Sequence, residues 1–393
     1  MPIENVQGIT YGELRPRKRI DEANTGDARI GGFPVYPNLM RELCDPDGDP
    51  AIRHARELHL CAVFSAWAYS DAVTLSSIAV RMGLEKNRVR KTVVVNDSMF
   101  VRSTAYVIQS ENGAVAFLVY RGTEPFELAT WATDADVKAV AVKVPGTDDA
   151  TVHGGFYRNQ RATWFDVVAS LDQAGTGKSI LNRNNYGTLV KADRIVGECP
   201  GYEPIGPLQR LYVTGHSLGG AMALLAAYRL LSDAAYGDFR DTLQGLYTFG
   251  QPMVGNPAFA RLCRDQERFP FFANAYFRCV YERDVVPHLP PLLSGPHEHF
   301  GTLLVSDGVD DATPLWTPSN SATKQVRSFT AMLAAATDVI VEQIPLWRDI
   351  ASVARRMPIL RQSDLIYSFY DHSPAYYVST SQPPGVVSEL GDF

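Results

Sequence analysis

Apolar residues recur along this chain in two rhythms, and the switches between them mark out its elements. Residues 51–83 carry an apolar stripe at helical spacing (Leu58, Cys61, Ala62, Phe64, Ser65, Ala68), and Gly83 is a stop signal. Strand-like runs follow at 93–96, 103–109 and 114–120. The last two are joined by Ser110-Glu-Asn-Gly113, a turn sequence between β-forming runs that predicts a hairpin. The strand ending at Tyr120 runs straight into Arg121-Gly-Thr123. An amphipathic helix is predicted after Val152-His-Gly-Gly-Phe156, carrying Phe156, Trp164, Val167, Val168 and Leu171. Residues 172–207, rich in Gly, Asn and Lys, break the pattern and read as an inserted surface excursion. A short β-rich run, Leu211 to Thr214, then enters Gly215-His-Ser-Leu-Gly219 and leaves as an alanine-rich stretch of high helix propensity ending near Leu230. Further strands are predicted at 245–249 and 275–281, with a short helix over 257–267 between them. Strand and helix alternate from residue 114 to 281, which predicts a mostly parallel sheet with helices on both faces.

The two ends of the chain depart from that alternation. Residues 1–50 are rich in Gly, Pro, Asp and Arg without sustained periodicity, and are expected to form an irregular arm. A second insertion is expected over about 302–365. Within it Val326, Phe329, Met332, Leu333, Ala336, Val339, Ile340 and Ile344 fall at helical spacing, followed by a stretch with Arg348, Arg355, Arg356 and Arg361 beside apolar residues. That insertion is read as two packed helices extending the core, or as a cap or interfacial element. Residues 51–393 are thus expected to form one catalytic domain interrupted at about 172–207 and 302–365.

Composition narrows the field. The chain has 393 residues, 46% hydrophobic and 20% charged, enough for one large core. A net charge of −6 gives no reason to expect nucleic acid as a partner. The five cysteines (Cys44, Cys61, Cys199, Cys263, Cys279) are scattered and form no C-x-x-C pair, so neither a disulfide framework nor a zinc site is expected. No apolar run approaches the length of a membrane span. The first residues lack a basic segment followed by an apolar one, so no secretory signal is read, and a cytoplasmic location or export by a signal-independent route is expected. Gly175-Thr-Gly-Lys-Ser179 resembles part of a phosphate loop, but Asp172 stands where the first glycine belongs and no strand leads in, so a nucleotide site is rejected.

The chemistry concentrates in G-x-S-x-G at 215–219. Strand, tight turn and helix around this motif hold a serine in a strained conformation with its hydroxyl above the sheet. A serine hydroxyl needs a histidine to take its proton and a carboxylate to hold that histidine. Asp284, just past a strand on the C-terminal edge of the sheet, is the candidate acid. Downstream histidines are His288, His297, His299 and His372. His372, in a late loop, is the preferred base and His299 the second choice. A metal reading of His297 and His299 lacks a third ligand. Acyl transfer also needs donors for the developing oxyanion. The backbone N–H of Leu218 at a helix start is one, and Thr123, with its N–H and hydroxyl, is the other.

Together these segments resemble the class 3 lipase family of the α/β-hydrolase fold. The matching pieces are Tyr120-Arg-Gly-Thr123 with Trp131 and Asp134, Val152-His-Gly-Gly-Phe156, Val213-Thr-Gly-His-Ser-Leu-Gly-Gly220, Thr248-Phe-Gly-Gln-Pro-Met-Val-Gly-Asn256, Asp284-Val-Val-Pro-His-Leu-Pro-Pro291 and His299-Phe-Gly301, in the family's order. The resemblance implies a cofactor-free serine carboxylester hydrolase acting on glycerolipids, with Ser217, Asp284 and His372 as triad and Thr123 and Leu218 as oxyanion donors. It makes residues 124–135 similar to the family's lid, with Phe126, Leu128 and Trp131 on its apolar side, and makes His299 a non-catalytic member of a His-x-Gly segment. Its substrate would be a lipid or soluble ester, met in solution or at a lipid–water interface. Alternatives are a phospholipase A1, a mono- or diacylglycerol lipase, or a catalytically idle binding protein on the same fold.

Overall fold

The structure, a computed structural model, describes residues 7–10, 33–99, 101–123, 142–144, 147, 149–181, 205–306, 316–325 and 368–391. Its frame is a nine-stranded sheet built from β1 (Gln7–Thr10), β2 (Arg88–Asn96), β3 (Val101–Gln109), β4 (Val115–Tyr120), β7 (Arg210–His216), β8 (Leu243–Phe249), β9 (Tyr276–Tyr281), β10 (Thr302–Ser306) and β11 (Thr317–Ser319), side by side in that order. Strands β5 (Val142–Lys143) and β6 (Thr151–Val152) form a separate small ladder. The five strands β4, β7, β8, β9 and β10 run parallel, and antiparallel pairs flank them on both sides. This is the α/β-hydrolase arrangement.

Helices cover both faces, as parallel strands require. They are α1 (Leu39–Cys44), α2 (Pro50–Trp67), α3 (Ala72–Met82), α4 (Gly154–Gly175), α5 (Leu218–Ser232), α6 (Pro257–Cys263), α7 (Pro270–Asn274) and α8 (Pro374–Ser381). Strand β4 shows how the period of two feeds two cores. Its Ala116, Leu118 and Tyr120 join the core beneath α4 and α5, whereas Val115, Phe117 and Val119 join the core beneath α1, α2, α3 and α8. Strand β7 divides likewise, with Leu211 and Val213 on the first side and Tyr212 on the second. Each fully buried large side chain here contributes roughly 1.5–3 kcal/mol, so the strands that carry the serine turn are among the most firmly held in the molecule.

The predicted hairpin and parallel alternation are present, and several boundaries move. The stretch 51–83 is two helices, because Asp71 caps α3 by accepting the Thr74 N–H at 2.8 Å, and Ala68–Ser70 turn between them. Gly83 ends α3 with φ +115°. The arm expected to be irregular supplies two regular pieces: β1 pairs with β2, and α1 buries Leu39 and Leu43 against the α2 side. Their shortness hid them from a periodicity reading. The first insertion begins later than expected, since α4 continues to Gly175 and Ile180 is buried in the core. Residues 302–306 are likewise no insertion but a core strand, β10, paired with β9. The helical pattern at 326–344 and the arginine-bearing stretch after it lie outside the described residues.

Candidate active site

Strand β7 delivers Ser217 to the C-terminal edge of the sheet, and α5 begins at the next residue. Ser217 has φ +60° and ψ −132°, a region that L-residues rarely occupy. The neighbours force this. A side chain at Gly215 would collide with the backbone of Gly219, and one at Gly219 with the Tyr120 carbonyl at the end of β4. Strand β4, the turn and α5 therefore pack backbone against backbone. Burial of Ser217 is complete, and its Oγ has no hydrogen-bond partner among the described residues.

Asp284 follows β9, and its carboxylate is wholly buried. Its Oδ1 accepts the Val286 N–H at 2.8 Å. Its Oδ2 accepts from His372 Nδ1 at 2.7 Å and from the Tyr377 hydroxyl at 2.5 Å. Three donors thus satisfy the two oxygens of one buried carboxylate. His372 is held so that Nε2 faces away from the acid, and this atom is also buried and unpartnered among the described residues. Gly250, with φ +57°, leaves the space for the pair: a methyl group there would lie 2.6 Å from Asp284 Oδ2 and 2.8 Å from two atoms of the His372 ring.

His216, immediately before the serine, fixes the other side of His372. Its ring lies 4.4 Å from that of His372, and its Nε2 is 2.9 Å from the His372 carbonyl. A carbonyl only accepts, so His216 Nε2 carries the proton. Nδ1 is then the acceptor, and the Tyr69 hydroxyl, 3.0 Å away, donates to it. Both nitrogens are satisfied in the neutral form. Burial, reinforced by His372, drives the His216 pKa well below the usual histidine value. A second cation is thereby kept out of the space beside His372.

His299 lies elsewhere. Its Nε2 donates to the Pro287 carbonyl at 2.8 Å, and burial, with Arg278 nearby, pushes its pKa far down. His288 bonds the Lys324 carbonyl at 2.6 Å, and His297 the Gly295 carbonyl at 3.0 Å. Among the described residues no cluster of His, Cys, Asp and Glu could hold a metal ion. Leu218 is the first residue of α5, where backbone N–H groups lack a carbonyl one turn earlier. Thr123 follows Gly122, whose backbone passes so close to the turn that a methyl group on it would lie 3.0 Å from Ser217 Cβ. Phe126, Leu128 and Trp131 lie outside the described residues.

Residues 117–294 match the family described as lipase (class 3). Residues 117–294 are thus a class 3 lipase segment. Curated relatives include the triacylglycerol lipase OBL1 of Arabidopsis thaliana, 30% identical across 65% of this chain and 50% of that protein. The lipase of Rhizomucor miehei is 30% identical across 66% of this chain and 61% of that one. A secreted mono- and diacylglycerol lipase of Fusarium solani is 40% identical over 23% of each chain. The chain thus spans about half to three-fifths of the length of the first two. Among solved structures, the Rhizomucor miehei lipase propeptide complex is 26% identical, covers 70% of this chain and 74% of that one, and has a TM-score of 0.48.

Sequence reasoning overlooked three groups around Ser217, Asp284 and His372. His216 stood in the quoted motif, and its neighbour relation to the serine was the available signal. Tyr377 is five residues past His372, but only the turn of α8 aims it at Asp284. Tyr69 sits in the break between α2 and α3 that periodicity did not resolve.

The Tyr377 hydrogen bond predicts a kinetic signature. Tyr377→Phe removes one of the three donors to Asp284 and with it a constraint on the carboxylate that holds His372. The kcat/KM for ester hydrolysis is expected to fall about 10- to 100-fold, as loss of a hydrogen bond to a charged group implies. Full activity in the variant would show that the bond does not bear on His372.

Proposed function

We propose that this chain is a serine carboxylester hydrolase that cleaves glycerolipid esters through an acyl-enzyme. The observation that carries the reading is the buried Asp284–His372 bond of 2.7 Å, with His372 Nε2 left unengaged on the sheet edge where Ser217 occupies its strained turn. Ser217 Oγ attacks the ester carbonyl while His372 Nε2 takes its proton. The negative oxygen of the tetrahedral intermediate is stabilised by the N–H groups of Leu218 and Thr123. Collapse breaks the ester bond, and the alcohol leaves with the proton from His372. Water, deprotonated by the same nitrogen, then attacks the acyl-enzyme, releasing the fatty acid and restoring Ser217. Asp284 keeps Nδ1 protonated and neutralises the imidazolium formed in each half. Every proton and charge in this cycle is handled by side chains and backbone. Residues 51–393 act as one catalytic unit in this scheme, with the expected segment at 124–135 as its cover.

The glycerolipid assignment draws on the named activities of the relatives and on the apolar side chains at 126, 128 and 131. A panel of emulsified triacylglycerol, emulsified diacylglycerol, phospholipid vesicles and a soluble p-nitrophenyl ester tests it, with fatty-acid release as readout. Turnover of the acylglycerols above the phospholipid is the expected result. Preference for phospholipid would make the chain a phospholipase. Turnover of none of them, with no labelling of Ser217 by a fluorophosphonate, would make it a binding protein.

A further inference from the structure

On the α2 side of the sheet, one buried carboxylate grips the helix to β7 and β8. His54 and Glu57 lie one helical turn apart on the face of α2 that meets these strands. Glu57, Tyr212 and Tyr247 are all buried. The Tyr212 hydroxyl donates to Glu57 Oε1 at 2.7 Å, and the Tyr247 hydroxyl donates to Oε2 at 2.7 Å. His54 Nδ1 lies 3.0 Å from the same Tyr247 oxygen. Phe277 holds the His54 ring there, with 4.4 Å between centroids, and the residue is only half-buried.

One hydroxyl thus bridges two titratable groups, and it has a single proton to give. When Glu57 is ionised, Tyr247 donates to it, and His54 must present Nδ1–H to the tyrosine oxygen. When Glu57 is protonated, Oε2–H donates to Tyr247, whose own proton turns to Nδ1. His54 must then be the tautomer with its proton on Nε2. Each bond survives with its direction reversed. The charged and titratable groups that face Glu57 are Arg53 and Cys61 on α2, Arg210 and Tyr212 on β7, and Tyr247 on β8. Burial pushes the Glu57 carboxyl above the usual carboxylate range, against the pull of the two tyrosine hydrogen bonds and the two arginines. Burial also lowers the His54 pKa. Both shifts favour uncharged groups at the two ends of the bridge.

We propose that Glu57, Tyr247 and His54 form a proton path between the buried face of α2 and solvent, in which His54 changes tautomer, and not charge, as Glu57 titrates. On ionisation the Oε2–H bond of Glu57 breaks as a new O–H bond forms on Tyr247. The former Tyr247 O–H bond breaks as Nδ1–H forms on His54. The Nε2–H bond of His54 then breaks, giving its proton to water. One proton leaves the protein, and one negative charge stays on Glu57. The half-buried His54 ring is the outlet for the buried carboxyl. Tyr212 stands outside the path and only stabilises the charge. The path operates whether or not the chain hydrolyses esters.

Two-bond proton–nitrogen NMR spectra of the whole chain with isotope-labelled histidine test this, His54→Gln identifying the signal. Between about pH 5 and 8, where an ordinary histidine loses a charge, the wild-type His54 ring is expected to stay neutral. It should pass from the Nε2–H to the Nδ1–H tautomer as the pH rises. Glu57→Gln, which has nothing to titrate, should hold one tautomer ratio across the range. Tyr247→Phe should cut the path, so that the tautomer no longer follows the carboxyl. Tyr212→Phe should keep the change and move its midpoint to higher pH, since a donor to the charged form is lost. A raised carboxyl pKa contributes stability below the unfolded value and loses it as the pH rises through the folded one. Glu57→Gln should therefore gain Tm relative to the wild type as the pH rises. If Tyr247→Phe does not fold, Glu57→Gln and the wild type carry the test. A wild-type ring that simply loses a charge, a tautomer change that persists in Glu57→Gln or at an unaltered midpoint in Tyr247→Phe, or a Tm difference that runs the other way would each overturn the proposal.

Discussion

Ser217→Ala is expected to lower kcat for a p-nitrophenyl ester by on the order of 10⁶-fold, leaving only what the oxyanion donors and substrate binding supply. The fold should survive. Ser217 Oγ makes no hydrogen bond among the described residues, so its removal orphans no partner. The methyl of alanine also occupies the space of Cβ without a new contact. The strain at φ +60° remains, since alanine is no freer there than serine. Circular dichroism and Tm close to the wild type, together with loss of both turnover and fluorophosphonate labelling, would be the full result. A variant that kept its activity would remove Ser217 from the reaction altogether.

His372→Ala against His299→Ala is the second decisive comparison. Loss of His372 removes the proposed base and should cost about as much in kcat as loss of the serine, because in the proposed cycle the two act as a unit. His299→Ala should leave kcat nearly intact and instead lower stability by about 1–3 kcal/mol, since it strands the Pro287 carbonyl and leaves a cavity where the buried ring stood. Kinetics and thermal unfolding of both variants separate the two roles. If His299→Ala lost activity at unchanged stability while His372→Ala kept it, the base would be His299.

The parallel part of the sheet was legible because each of its strands is a short apolar run followed by a glycine-bearing turn, and the serine turn was legible because its glycines are steric necessities. Asp284 and His372 were harder to join. They are 88 residues apart, and nothing local to either announces the other. Their meeting is a tertiary fact, produced by Gly250 leaving room and by His216 gripping the His372 carbonyl. Choosing among four histidines from sequence could rest only on chain order, whereas in the fold hydrogen bonds to backbone carbonyls account for His288, His297 and His299. β1 and α1 escaped because they are too short to show a period, and β10 because its run was read together with the segment that follows it. The divided helix at 68–71 was missed because a serine and an aspartate in an otherwise apolar stripe look like a polar interruption and not like a cap.

One detail near the second insertion bears on how such a chain can change over time. Gln325 donates to the Pro290 and Gly295 carbonyls and accepts the His297 N–H, and Lys324 accepts from His288. At the other end the Ser368 N–H donates to the Arg283 carbonyl, and the Val285 N–H to the Ser368 carbonyl. The chain therefore leaves and re-enters at two clasps on the loop that bears Asp284, and His372 follows only after the second. Material between the clasps can be lengthened, shortened or exchanged at an entropic cost that grows slowly with length, while His372 stays in register with Asp284. Recombination and drift thus have a socket here: new segments can be tried without re-solving the placement of the histidine.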